Sequence, residues 1–381
     1  MRVIFATSIP FTQQHEVIMY TQTIGKKYPI EKLDLSEIYG NSDYTTNLPA
    51  ENTKTIQTIE QLEQHIQKLL TQDSVLMITD ILILNLKRIY PILKKYRLKI
   101  VTINKEIMGG WLIRQGQVAQ GFNKMNFVQW FKGWLMLNQF SASLIHKIRY
   151  GSCQYDYILA SANLQPEAGK EFVQIHHVKY DEYLQAKNSE NPIGEKYILF
   201  IDSGLTTHPM LQNAAHKLDH AYYLNVINQY LDLLEQKYKL KVVVSVHPSA
   251  AYEQKAFGDK LTMCGKTPEL VEHCEFVVSH GSTSLINAIL ARKPMKILTS
   301  KAIEHSASNF MVCYGLGFAK LLGLELVDLD HPQFHEFSFD PAAYSRFETN
   351  YLINEKCSDK SNEELIYSFL QQLENEEPKN Q

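Results

Sequence analysis

Lys241-Val242-Val243-Val244-Ser245-Val246, followed at once by His247-Pro248, opens the stretch that decides the fold. An apolar, β-branched run of this length predicts a strand buried on both faces. After Gly265-Lys266-Thr267-Pro268-Glu269, a short helical pattern runs through Leu270, Val271 and Cys274. A second apolar run, Glu275–Val278, ends in Ser279-His280-Gly281-Ser282-Thr283-Ser284, and Leu285, Ile286, Ile289 and Leu290 then share one helical face. Arg292-Lys293-Pro294 closes that helix ahead of a third strand, Met295–Thr299. Strand, turn and helix repeated in this way make half of a doubly wound domain.

The turns carry the chemistry. A histidine at the carboxyl end of a buried parallel strand points into the crevice where open α/β sheets bind ligands. Ser282, Thr283 and Ser284 fall where a helix begins, so hydroxyls, free backbone N–H groups and the positive end of the helix dipole are predicted together. Gly281 is expected to let a phosphate approach the backbone, with His247 on a neighbouring strand donating to the same anion. Serine caps and strand-ending His-Pro pairs also serve structure alone, and that alternative stands beside the first.

Working outward, 381 residues exceed what one core usually serves, so two domains are expected. A formal net charge of −3 argues against a general nucleic-acid binder. Five scattered cysteines without a CxxC pair fit reduced thiols in a cytoplasmic protein better than a disulfide framework or zinc site. The start, Arg2–Ala6, reads as a strand and not as a signal peptide, and no run reaches the ~18 apolar residues of a spanning helix.

Three blocks are expected: 1–185, a first Rossmann-like domain; 196–345, a second, both facing a central cleft; and 346–381, a C-terminal helix and tail. In the first, Val3–Ala6, Val75–Asp80, Lys99–Ile103, Asp156–Ser161 and Glu171–Val178 read as strands. Gln57–Leu70 and Ile83–Tyr96 read as helices, and the polar section before residue 56 as loop with short helices. Residues 122–150 mix Trp130, Trp134 and several Phe with Lys124, Lys132 and Lys147. They read either as a core helix with a basic edge or as a surface for peripheral contact with an inner membrane. His176-His177 would point to opposite faces of a strand, and Asp328-x-Asp330 reads as a turn, so no metal site is predicted. In the second domain Lys196–Ile201 is a buried strand running into Asp202-Ser203-Gly204. Asp202 there is either a general base or a turn-forming residue ahead of glycine.

The quoted motifs also carry a family resemblance. Phe200-Ile201-Asp202-Ser203-Gly204 with His208-Pro209, Val246-His247-Pro248 with Tyr252, Gly265–Leu270 and Ser279–Ser284 resemble bacterial GT-B glycosyltransferases of capsule and lipopolysaccharide synthesis. The order is similar to the acidic-Gly, His-Pro and Ser/Thr motifs of sialyltransferase-like enzymes of nonulosonic acids (sialic, pseudaminic, legionaminic). The resemblance covers roughly residues 155–300. It implies transfer of such a sugar from a CMP donor to a glycan or lipid-linked glycan acceptor at the bacterial surface, without cofactor or metal. Asp202 takes the place of the base and His247 binds the CMP phosphate and aids its departure. Pro248, Lys266, Thr267, Glu269, His280, Gly281, Ser282, Thr283 and Ser284 are implied to hold the nucleotide, Glu269 at the ribose. Ser203, Gly204 and His208 fall on the acceptor side. Where the family has an acidic pair this chain has Asp202-Ser203, so inverting and retaining courses both stay open. A UDP-sugar or CDP-alditol transferase, and a non-catalytic glycan-binding protein, are the alternatives.

Overall fold

The computed structural model describes residues 1–43, 48–103, 112–113, 115–117, 153–161, 169–208, 211, 214, 216–248, 250 and 252–376. The segment 122–150, and with it the expected membrane contact, lies outside the described residues. Among those described, no helix is long and apolar enough to cross a membrane.

The chain forms two α/β units, each around one fully parallel sheet. Unit 1 holds seven strands: β1 (Arg2–Thr7), β2 (Ile30–Asp34), β3 (Thr53–Thr55), β4 (Val75–Thr79), β5 (Lys99–Ile103), β6 (Tyr155–Ala160) and β7 (Gly169–Gln174). Their order is β3-β2-β1-β4-β5-β6-β7, every pair parallel. Alternate side chains of β1 enter opposite cores: Ile4 and Ala6 one, Val3 and Phe5 the other. Helix α1 (Gln13–Ile18) follows β1, and α2 (Ile59–Leu70) buries Leu62, Ile66 and Leu69 on the first core.

Unit 2 holds β8 (Tyr197–Ile201), β9 (Lys241–Val246), β10 (Leu261–Cys264), β11 (Phe276–Ser279), β12 (Met295–Thr299) and β13 (Glu325–Asp328). Their order is β10-β9-β8-β11-β12-β13, again parallel throughout. Counted within the unit that is 3-2-1-4-5-6, the Rossmann order, whose direction of winding reverses between β8 and β11. Helix α3 (His220–Tyr238), capped by the Asp219 carboxylate taking the Tyr222 N–H, lies over one face through Tyr223, Ile227, Leu231 and Leu234. On the other face are α4 (Thr267–His273) and α5 (Leu285–Leu290), while α6 (Asn309–Leu322) feeds both cores. Two Rossmann-like units in one chain is the GT-B plan.

The units interleave where contiguous blocks were expected. Unit 1 comprises 1–107, 124–177 and 354–381; unit 2 comprises 108–123 and 178–353. The last helix, α7 (Asn362–Glu376), is therefore part of unit 1 and no appendage. Its Ile366, Phe369, Leu370 and Leu373 complete the second unit 1 core. His176, at the end of the β7 segment, is fully buried and fixed there: its N–H donates to Asn362 Oδ1 (2.8 Å) and its Nδ1 accepts the Asn354 N–H (3.0 Å).

Several elements differ from the sequence reading. The expected helix 83–96 is two short ones, Ile83–Leu86 and Tyr90–Lys95, because Pro91 fits only a helix's first turn. Strands β2, β3 and β10 lie in stretches read as loop or connection. After β12 a single helical turn, Lys301–Glu304, precedes α6, which begins at Asn309. Asp328 and Asp330 form the turn that was read: the Asp330 N–H bonds Asp328 Oδ1, and Asp330 takes the Lys301 N–H and the Tyr222 hydroxyl.

Candidate nucleotide site

Ligands of open α/β sheets sit at the carboxyl ends of the strands, at the switch point. In unit 2 that point lies between the tips of β8 and β11. The β8 tip is bonded to both neighbours: Ser203 Oγ donates to Gly281 O (2.8 Å), Ser279 Oγ to Ile201 O (2.8 Å), and Asp202 N–H to Ser245 O (3.0 Å). Beyond it the chain turns through Gly204 at φ +65°, a left-handed conformation that disfavours side chains, and Gly204 O accepts the His208 N–H at 2.8 Å. This brings the His208 ring beside His247, centroids 5.0 Å apart.

The predicted residues divide into surface and interior. Ser282, Thr283 and Ser284 are at least partly exposed, as are His208, His247, Pro248, Lys266, Thr267 and Glu269. Burial holds the His247 imidazole down to about 4, helped by His208, and burial lowers His208 as well. Both rings are thus neutral at pH 7.

His280 is interior. It is fully buried between Phe200 and Tyr223, its Nδ1 lies 2.9 Å from Leu298 O, and desolvation pushes it down to about 4. Gly281 also serves packing: a Cβ there would meet Met311 O at 2.1 Å and Gly315 N at 2.7 Å, so the glycine lets α6 approach closely. Ser203 and Gly204 are buried too, Ser203 as a tie to Gly281 and Gly204 as the turn.

Asp202 is 2% exposed. Its Oδ1 accepts the Tyr252 hydroxyl at 2.9 Å, and the backbone N–H groups of Gly204, His247 and Ser203 face the carboxylate. Burial outweighs these donors and pushes its pKa up to about 6. The carboxylate is closed off from solvent, and among the described groups its Oδ2 has no hydrogen-bond partner, while Oδ1 ties it to Tyr252.

The hydroxyl-rich helix start is looser than predicted. Helix α5 spans six residues, Ser284 at its N-cap makes no side-chain cap bond, and Ser282 Oγ instead takes the Ser284 N–H at 3.2 Å. Nor are the imidazole and hydroxyl tips adjacent: β9 and β11 flank β8, so their backbones lie about 10 Å apart. On the β10 side, Thr267 Oγ1 bonds Ser245 Oγ (2.6 Å), tying α4 to β9, while Lys266 and Glu269 pair at 3.4 Å.

A second constellation escaped the sequence reading. At the switch point of unit 1, between β1 and β4, His15 Nε2 lies 3.3 Å from Asp80 Oδ2. His15 Nδ1 accepts the Thr12 N–H (2.9 Å), which leaves the proton on Nε2 to face Asp80. The Asp80 side chain is 27% exposed, so it has the access a general base needs and Asp202 lacks. Its only sequence signal is a carboxylate ending an apolar strand. Among the described residues no three His, Cys, Asp or Glu side chains come together as a metal set.

No family model matches this sequence, and no curated protein does. Solved structures resemble it along nearly the whole chain at low identity. The UDP-GlcNAc 2-epimerase of Methanocaldococcus jannaschii shares 12% identity over 97% of this chain and 100% of its own, with TM-score 0.49. Phytolacca americana UGT2, solved with UDP-2-fluoro-glucose and pterostilbene, shares 8% over 98% and 99%, TM-score 0.48. The forosaminyltransferase SpnP shares 14% over 98% and 99%, TM-score 0.45. With TM-scores below 0.5 these likenesses decide nothing about chemistry, which has to come from the residues of the site.

Proposed function

We propose that the chain is a glycosyltransferase that takes its sugar from a nucleotide donor bound at the carboxyl edge of the unit 2 sheet. The observation that carries this is the polar edge itself: His208, His247 and Ser282–Ser284 line the tips around the switch point of a 3-2-1-4-5-6 sheet. A histidine N–H and backbone donors there would stabilise the phosphate as the bond from the anomeric carbon breaks and its electron pair passes to the phosphate oxygen, while an acceptor hydroxyl oxygen bonds to that carbon and releases its proton to solvent. Lys266 and Glu269, two tips from β8, are the residues for the nucleoside.

The separation of the β9 and β11 tips favours two linked phosphates over one, because a single phosphate has to bridge about 10 Å of backbone with side chains alone. A nucleoside-diphosphate sugar such as a UDP-sugar is therefore the first reading. CMP-nonulosonate transfer is the second, supported by the Asp-x-Gly, His-Pro and Ser/Thr motifs. In both, Asp202 positions the β8 and β9 turns and His247 contacts phosphate.

The test is thermal shift of the purified protein with UDP, CDP and CMP. Stabilisation by UDP over CMP supports the first reading; the reverse order supports the second. His247→Ala is expected to weaken the preferred nucleotide at least tenfold with the unliganded melting temperature held within a few degrees. Absence of a shift with all three would leave a non-catalytic scaffold.

A further inference from the structure

We propose that His208 and His247 form a single anion clamp that takes up a proton when a donor phosphate binds. This deepens the nucleotide-site reading above and rests on it. The sequence assigns the two histidines to different partners, acceptor and nucleotide; the fold puts them together. His208 returns through the left-handed Gly204 turn, and a Cβ on that glycine would lie 3.7 Å from both Ala250 Cβ and His208 Cβ. The rings then meet at 5.0 Å with planes inclined at 59°, both half-buried, at the ends of adjacent strands.

Two ionisable groups of one sign, packed together and desolvated, each resist protonation. Among the described residues, these titratable groups lie around the pair. Asp202 lies beneath, enclosed and bonded to Tyr252; Tyr223 lies behind it; His220 stacks on Tyr252 (6.1 Å) and pairs with Thr206 Oγ1 at 2.8 Å. Without ligand the pair stays neutral at pH 7. A phosphate at the nitrogen edges of the two rings reverses the balance, since an opposite charge at contact distance favours the imidazolium. One ring then donates as a cation and the other as a neutral N–H. The proton comes from solvent. By linkage, affinity falls as pH rises through the raised pKa of the bound state, by up to about tenfold per pH unit.

Isothermal titration calorimetry at pH 7.8, where nucleotide phosphates are already fully ionised, tests this with UDP, CMP and inorganic phosphate. Each titration is run in two buffers of different ionisation enthalpy, so that the slope gives protons taken up. Uptake of about half to one proton per nucleotide is expected. In His208→Gln the affinity should fall by about tenfold or more with unchanged thermal unfolding, and in the double variant His208→Gln/His247→Gln the proton uptake should fall towards zero. If these variants misfold, the wild-type buffer dependence alone decides. Nucleotide binding without proton uptake, or with the His208→Gln behaviour unchanged, overturns the clamp but leaves the nucleotide site standing. If none of the three probes binds, both readings fall. If ZnCl2 binds in their place and His208→Gln abolishes it, the pair is a metal site and the clamp is overturned.

Discussion

His280 shows what a polar residue costs when a strand end is closed over. Its ring is sealed between Phe200 and Tyr223, and among the described groups its Nε2 has no hydrogen-bond partner. The folded pKa of about 4 lies below the ordinary 6.5, so the unfolded chain binds the proton first as pH falls. Its share of stability is complete above pH 6.5 and lost on acidification towards 4. A shift of that size in a fully buried group amounts to on the order of 2–3 kcal/mol at pH 4.5. His280→Phe is accordingly expected to lose less stability than wild type between pH 7 and 4.5, by that margin, in urea unfolding followed at both pH values. An equal loss in both proteins would mean that the ring is accessible to solvent. Asp202 acts with the opposite sign: held up to about 6, it favours the folded state more as pH falls from 6 towards 3.8. Asp202→Asn removes that opposing contribution, and its acid-induced destabilisation should be steeper than that of wild type in the same measurement.

At the level of elements, the site is held by contacts between backbones. Gly281 at the β11 tip and Gly315 in α6 pack directly: a Cβ on Gly315 would meet His280 O at 2.0 Å. Because backbone cannot yield as a side-chain end does, Gly281→Ala and Gly315→Ala should each destabilise by about 1–3 kcal/mol or more. The double variant should cost less than the sum, since either methyl forces the same separation; additive chemical-denaturation values would show the two contacts to be independent. This crossing also gives Gly281 a packing role that the sequence does not display. A glycine before a serine-rich turn reads as a phosphate cradle, and nothing in local sequence tells a ligand from a neighbouring helix 30 residues on.

The central strands were legible because parallel strands buried on both faces must be continuous apolar runs, as at Val242–Val244 and Phe276–Val278. Two edge strands were not: β3 and β10, each with one partner, are largely exposed and polar enough to pass for loop. His247 and Ser282–Ser284 could be found because their chemistry follows strands that are easy to read. The nearness of His208 to His247 could not, since it depends on a turn geometry and on which strands become neighbours.

At the scale of the whole chain, the interleaving of the units makes a testable claim about which residues support which sheet. Helix α7 is the last element in sequence, yet its buried side chains belong to the core containing β1 residues Val3 and Phe5. Asn362 strengthens the link, since its side chain bonds His176 on both sides: Oδ1 accepts the His176 N–H and Nδ2 donates to His176 O (3.2 Å). Truncating Ile366, Leu370 and Leu373 together to Ala removes three large, fully buried side chains at about 2–5 kcal/mol each, which approaches or exceeds the stability of an ordinary domain. Unit 2 has cores of its own, built from β8 to β13 and their helices, to which α7 contributes nothing. The triple variant should therefore unfold unit 1 at far lower denaturant than unit 2, giving two transitions where the units are otherwise matched. Limited proteolysis should cut within 1–107 and 124–177 first and spare a unit 2 fragment from about 178 to 353, with 108–123 retained on it. Were that fragment lost at the same rate as the rest, α7 would support both sheets and the assignment of 354–381 to unit 1 would be wrong. If the fragment survives and still responds to UDP or CMP as the full chain does, the donor site lies wholly in unit 2, and the loss of unit 1 can be separated from the loss of nucleotide binding.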